Sequence, residues 1–223
     1  ILTASVVFLS IVGFFLFVST FITSAVYLQF RFLMNIVKRV FPNVFWYQDT
    51  KHFVLALTID DAPSDNTNEI LDLLDRFNCK ATFFIISSQA KKFPEVMERI
   101  KASGHEMGNH MCKDRPSFKL SPEKYEKKLR KCDKILTQFG AFDEIGEDDI
   151  SVFSNEKLNE GDEDIGVQKY KWTRPGSGFF SAQMIEIAAN NGYSVALGNV
   201  YPFDPQIKWP WLNARHVVTR TSP

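Results

Sequence analysis

The chain has 223 residues, 26 basic and 26 acidic side chains, and a formal net charge of zero. At 45% hydrophobic and 23% charged it holds enough apolar material for one core of ordinary size, which excludes a disordered polymer. The balanced charge leaves no electrostatic footprint for nucleic acid as a partner, and three cysteines (Cys79, Cys112, Cys132) are too few for a disulfide scaffold, although one pair could form.

The averages conceal segregation. Residues 1–30 carry no charged side chain; the first is Arg31. Residues 143–164 hold ten acids against one base, Lys157, so this stretch is net −9 and the rest of the chain is net +9. The chain starts with Ile1 rather than Met, which leads to the expectation of a fragment.

In chain order, Ala4–Tyr27 is an uninterrupted uncharged run, long enough to cross a ~30 Å hydrocarbon core as a helix and too long for a typical signal peptide. Residues 1–30 are therefore expected to be a single transmembrane anchor in contact with a lipid bilayer. Residues 31–49 mix Arg31, Lys38 and Arg39 with Phe32, Phe45, Trp46 and Tyr47, which predicts a juxtamembrane interfacial segment. A soluble domain is expected over residues 50–223.

Within that domain His52–Thr58 reads as a buried strand. Asn66–Phe77 reads as an amphipathic helix with Ile70, Leu71, Leu74 and Phe77 on its apolar face. Lys80–Ile86 predicts a second buried strand. Phe93–Ala102 predicts a helix with Pro94 in its first turn and Gly104 past its end. Glu106–Asn109 predicts a short strand. Ser121–Phe139 and Ser181–Asn191 predict helices capped by Ser121 and Ser181. Lys124, Lys127, Lys128, Lys131 and Lys134 on the first of these read as a solvated face. Tyr193–Leu197 closes the series as a strand. Short apolar strands alternating with helices predict a parallel α/β sheet, with chemistry at the strand ends. The acidic stretch 143–164 lacks apolar periodicity and reads as a solvated insertion.

Three segments carry candidate chemistry. Asp60 and Asp61 stand together at the end of the first soluble strand, where two carboxylates are costly without a cationic partner. Taken alone, the pair is better explained by turn and helix-capping roles. His110 and Asp114 are four residues apart, so on one helical turn both would face the same divalent ion; with Asp61 they make a three-ligand set with an open position. Cys112, at i+2, is expected to face away. Arg174, ahead of Pro175 and Gly176, is placed to hold a carboxylate or to sit in a surface turn.

Taken together, Thr58-Ile59-Asp60-Asp61-Ala62-Pro63, His110-Met111-Cys112-Lys113-Asp114 and Arg174-Pro175-Gly176-Ser177-Gly178 resemble motifs of the NodB-type polysaccharide deacetylases, carbohydrate esterase family 4. Ala62 replaces a Gly, and Met111 replaces a Ser or Thr. The resemblance implies a distorted (β/α) barrel, incomplete at the C-terminus. It implies Asp60 as general base, Arg174 as the residue that orients it, and Asp61, His110 and Asp114 as ligands of a divalent metal, most often Zn²⁺. It also implies substrate-binding roles for Tyr201, Asp204 and Pro175, and an N-acetylated, chitin-like polysaccharide as substrate. The family's last motif, a Leu-x-His supplying the general acid, is not found before Pro223; His216 is a poor substitute. The expectation is a chain truncated ahead of that motif and weakly active as it stands. A glycan-binding relative without turnover is the alternative. A polysaccharide substrate would place the domain on the lumenal or extracellular side.

Overall fold

The computed structural model describes residues 2–28, 31–48, 54–142 and 171–221. The acidic stretch 143–164 lies outside them, as do His52 and Phe53. The described residues fall into two compact units, one of Ile1–Pro42, Trp46–Phe53 and Gly198–Pro223, the other of Asn43–Phe45 and Val54–Leu197.

In the first unit helix α1 runs Leu2–Leu28 and α2 runs Arg31–Val40. The window Val6–Ser24 is long and apolar enough to cross a membrane, and none of it is buried in the structure. Helix α2 has no buried residue. Lys38 Nζ lies 4.2 Å over the Tyr47 ring, and the Tyr47 hydroxyl donates to Asn35 Oδ1. The same unit ends in a helix, Pro210–Thr221, that sequence patterning did not foresee; it buries His216 to 6% exposure. Burial holds the His216 pKa below its ordinary value.

The second unit is a six-stranded, all-parallel sheet: β1 Val44–Phe45, β2 Thr58–Ala62, β3 Thr82–Ile85, β4 Glu106–Asn109, β5 Lys171–Thr173 and β6 Tyr193–Ala196. Their order is β1-β6-β5-β4-β3-β2, so β1 and β2 are the two edges and the sheet does not close among the described residues. The expected α/β class holds. Helices α3 (Thr67–Arg76), α4 (Ser87–Ala90), α5 (Pro94–Ala102), α6 (Pro122–Gln138) and α7 (Ala182–Asn190) connect the strands.

The core forms where helix stripes meet β3 and β4. Leu71 and Leu74 of α3, Met97 and Ile100 of α5, and Ile135 and Leu136 of α6 bury against Phe83, Ile85 and Met107. Each fully buried aliphatic or aromatic side chain contributes roughly 1.5–3 kcal/mol. The serine caps form as expected: Ser121 accepts from Lys124 N and Ser181 from Met184 N.

Four expectations need correction. Residues 54–57 are exposed and outside any strand, with Val54 at 73% and Leu55 at 63%; the strand starts at Thr58. The reason is position, since β2 is an edge and pairs only with β3. Phe77 is 67% exposed because it is the C-cap of α3, where the chain leaves the helix and turns through Asn78 at φ +48°. Val44 and Phe45, expected in the interfacial segment, join the sheet against β6, and Val44 is 3% exposed. Strand β5 went unseen, since three residues are too short for a periodic signal.

Candidate active site

In a parallel sheet the strands' C-terminal ends open on the same side. Asp60 and Asp61 lie at the end of β2, His110 follows β4, and Arg174 follows β5. The sheet order puts β3 between β2 and β4, so Ile85 at its end accepts from His110 N at 2.9 Å.

A bulge aims the paired carboxylates. The β2–β3 register passes from Ile59↔Phe83 to Ala62↔Ile85, three steps on one strand against two on the other. Asp61 takes up the extra step with φ +62°. In a regular strand adjacent side chains diverge; the bulge re-aims one of them. Asp60 Oδ1 thus accepts from Arg174 Nη1 at 2.6 Å, while Asp61 Oδ1 lies 3.4 Å from His110 Nε2.

Arg174 is 8% exposed and held at four points. Its Nε donates to Ala196 O at 3.1 Å, and its Nη1 also donates to Thr58 Oγ1 at 3.1 Å. Its guanidinium lies 4.0 Å over the Phe84 ring, and its N–H donates to Asn109 O at 3.0 Å. A planar fork so restrained delivers one N–H to Asp60 without further ordering cost.

His110 is buried, and its Nδ1 lies 2.8 Å from Arg174 O. A carbonyl oxygen only accepts, so Nδ1 carries a proton, and Nε2 faces Asp61, to which it donates when the ring is protonated. Burial pulls the His110 pKa down. The Asp61 hydrogen bond, the Asp60 charge and the Arg174 carbonyl outweigh that and hold it above the ordinary value.

Asn109 is the residue that sequence reading missed. It is fully buried; its Nδ2 donates to Leu129 O and Tyr193 Oη, both at 3.2 Å, and its Oδ1 accepts from Met111 N at 2.9 Å. Tyr193 Oη donates to Asp133 at 2.6 Å, and Asp133 pairs with Lys171 at 2.6 Å. This chain of polar contacts supports Met111, which replaces the Ser or Thr of the motif, in its left-handed conformation (φ +67°). The available signal was an amide at the buried end of a short strand, where it must find partners.

The residues after His110 form bends, not a helical turn, so the i, i+4 argument for Asp114 does not apply. Met111 leaves the helical region and Pro116 follows shortly after. Asp114 is exposed, and among the described residues no three His, Cys, Asp or Glu side chains form a group able to hold an ion. Asp61 and His110 alone fit a divalent metal, because His110 has its tautomer set by a backbone carbonyl, as metal-binding imidazoles commonly do. Pro175 is buried under its loop. Tyr201 and Asp204 belong to the other unit, where Tyr201 packs on Phe203 at 4.9 Å. His105 is structural: its Nδ1 accepts from Ala81 N, and burial lowers its pKa.

Gly176 explains itself by space. A Cβ there would lie 2.3 Å from Arg115 O, and Gly176 N donates to Ser117 Oγ at 3.0 Å. Gly176→Ala therefore forces two backbones apart. An overpacking cost of about 1–3 kcal/mol is expected in denaturant unfolding. A loss below about 0.5 kcal/mol would show that this loop yields freely.

The strand ends of the parallel α/β domain thus present an arginine-clamped Asp beside an Asp–His pair. Residues 47–144 match the family model described as polysaccharide deacetylase. A peptidoglycan-N-acetylglucosamine deacetylase of Bacillus cereus is 37% identical over 89 residues, 40% of this chain and 32% of that protein. Among solved structures, the peptidoglycan deacetylase PdaC from Bacillus subtilis superposes with a TM-score of 0.58 at 24% identity, covering 78% of this chain and 72% of that one. A carbohydrate esterase family 4 pseudoenzyme from Bacillus anthracis gives 0.61 at 20% identity, over 80% and 54%. The match thus spans about a third of the B. cereus relative. Residues 47–144 resemble the polysaccharide deacetylases, and the fold is similar to that of carbohydrate esterase family 4 structures.

Proposed function

We propose that this chain is a membrane-anchored, metal-dependent deacetylase that hydrolyses N-acetyl groups on an N-acetylglucosamine-containing polysaccharide, releasing acetate and a free amine. The observation that carries the reading is the double pairing at the strand ends, Asp60 with Arg174 and Asp61 with His110. Of a chitin-like and a peptidoglycan-like polymer, this reading favours the second, because the B. cereus relative bears that name.

Asp61 and His110 would hold the ion, with Asp114 as the candidate third ligand. A divalent metal supplies Lewis acidity toward the acetyl carbonyl and acidity to the attacking water. Asp60 uses Oδ1 for Arg174, which leaves its second oxygen to take the water proton as oxygen attacks the acetamide carbon. Collapse of the tetrahedral adduct breaks the C–N bond, and a proton goes to the leaving nitrogen. Helix α1 would hold the domain at a bilayer on the lumenal or extracellular side, where such a polymer lies.

Catalytic impairment with retained glycan binding is a second reading, favoured by the two-ligand count among the described residues. Zinc content and acetate release from an N-acetylglucosamine oligomer separate the two. Stoichiometric zinc with acetate supports the enzyme; neither zinc nor acetate, with the oligomer still bound, establishes the glycan-binding relative.

A further inference from the structure

Cys112 and Cys132 have no part in the chemistry above, yet the fold brings them together. Cys132 is fully buried on the inner face of α6, and Cys112 is half-buried two residues after His110. Their sulfurs are 2.9 Å apart across 20 positions of sequence. The positive φ of Met111 turns the chain so that Cys112 points to α6 instead of away from it. On the far side Ser87 Oγ lies 3.1 Å from Cys132 Sγ, and Ser87 N donates to Met111 O at 3.0 Å. Cys79, by contrast, is exposed, and its thiol contacts Phe77 O.

We propose that Cys112 and Cys132 form a disulfide that ties the His110 loop to α6. The inference stands apart from the deacetylase reading, since it needs only the two thiols and their placement. Two features make the pair suitable. The buried partner leaves one accessible sulfur to meet an oxidant, which sets the order of events. The closed ring runs through the exposed bends at residues 113–115, a segment whose freedom in the unfolded chain a cross-link removes.

The oxidant class is a low-molecular-weight disulfide such as oxidised glutathione. Cys112 Sγ, as thiolate, attacks one glutathione sulfur; the glutathione S–S bond breaks and one glutathione leaves. Cys132 Sγ then attacks the Cys112 sulfur of the mixed disulfide, and the second glutathione leaves. Two protein thiols lose two electrons, and their two protons end on two glutathione molecules.

The test uses the full chain in detergent, incubated with oxidised glutathione. It is then denatured, alkylated with N-ethylmaleimide without reductant, and mapped as peptides. The expected result is a linked Cys112–Cys132 peptide pair that dithiothreitol releases, with Cys79 alkylated throughout. Full alkylation of Cys112 and Cys132, a link to Cys79, or glutathione retained on Cys112 would each overturn the proposal. A second reading is thermal. Reductant should lower the Tm of the oxidised chain by roughly 5–10 °C and leave Cys112→Ser unmoved. An equal response in both proteins would also refute the cross-link.

Discussion

Asp60→Asn should release acetate about 10²–10⁴-fold more slowly than the parent chain, with zinc content and KM nearly unchanged. The amide keeps an oxygen where Arg174 Nη1 now donates at 2.6 Å, so the clamp on that side chain survives. What it loses is the capacity to take a proton from water. Asp61 and His110, the pair proposed for the metal, are untouched. His110→Ala should do the opposite first: zinc falls away, and activity goes with it. The contrast separates a proton acceptor from a ligand on adjacent elements of one site. An Asp60→Asn protein within about threefold of the parent would remove Asp60 from the base role, because general-base assistance is worth at least tenfold more than that.

The largest stability effect is expected at a residue that touches no substrate. Asn109→Leu keeps nearly the same volume but deletes three buried hydrogen bonds, to Leu129 O, Tyr193 Oη and Met111 N. A buried donor or acceptor stripped of its partner costs about 1–3 kcal/mol. Shared losses are not additive, so a total of about 3–5 kcal/mol is the expectation, read as a Tm drop of roughly 6–15 °C. Tyr193 should contribute to the cost, since its hydroxyl also donates to Asp133. Burial raises the pKa of that phenol, so it stays a neutral donor over the working range. A second readout follows from the position of Met111. Without the Asn109 acceptor its left-handed turn loosens, and zinc affinity falls because His110 is the preceding residue. A loss under about 1 kcal/mol with zinc binding intact would show that the turn is held from elsewhere.

Much of the frame was legible in the residues. Pro94, Ser121, Pro122 and Ser181 marked helix starts that the structure confirms to within a residue, because capping is a transaction between neighbours. Leu71, Leu74 and Phe83 were legible as core for the same local reason, the period of their element. The misreadings share a cause. Val54 and Leu55 are apolar, yet they lie exposed just ahead of an edge strand, and nothing local says which strand is an edge. Likewise His110 and Asp114 had a spacing that suits a helix, in a stretch that a left-handed Met111 turns into bends.

By itself the sequence marked the candidates: Asp60, Asp61, His110 and Arg174 stand in short motifs whose residue types and local turns suffice to single them out. Only the tertiary structure decided their pairing. Asp60 and Arg174 are 114 positions apart, and Asn109 and Tyr193 are 84 apart. Such contacts depend on strand order, on the bulge that re-aims Asp61, and on the helix that brings Cys132 to Cys112. Each is set by packing across the sheet, where the free energy of burying a whole face outweighs the preference of any local segment.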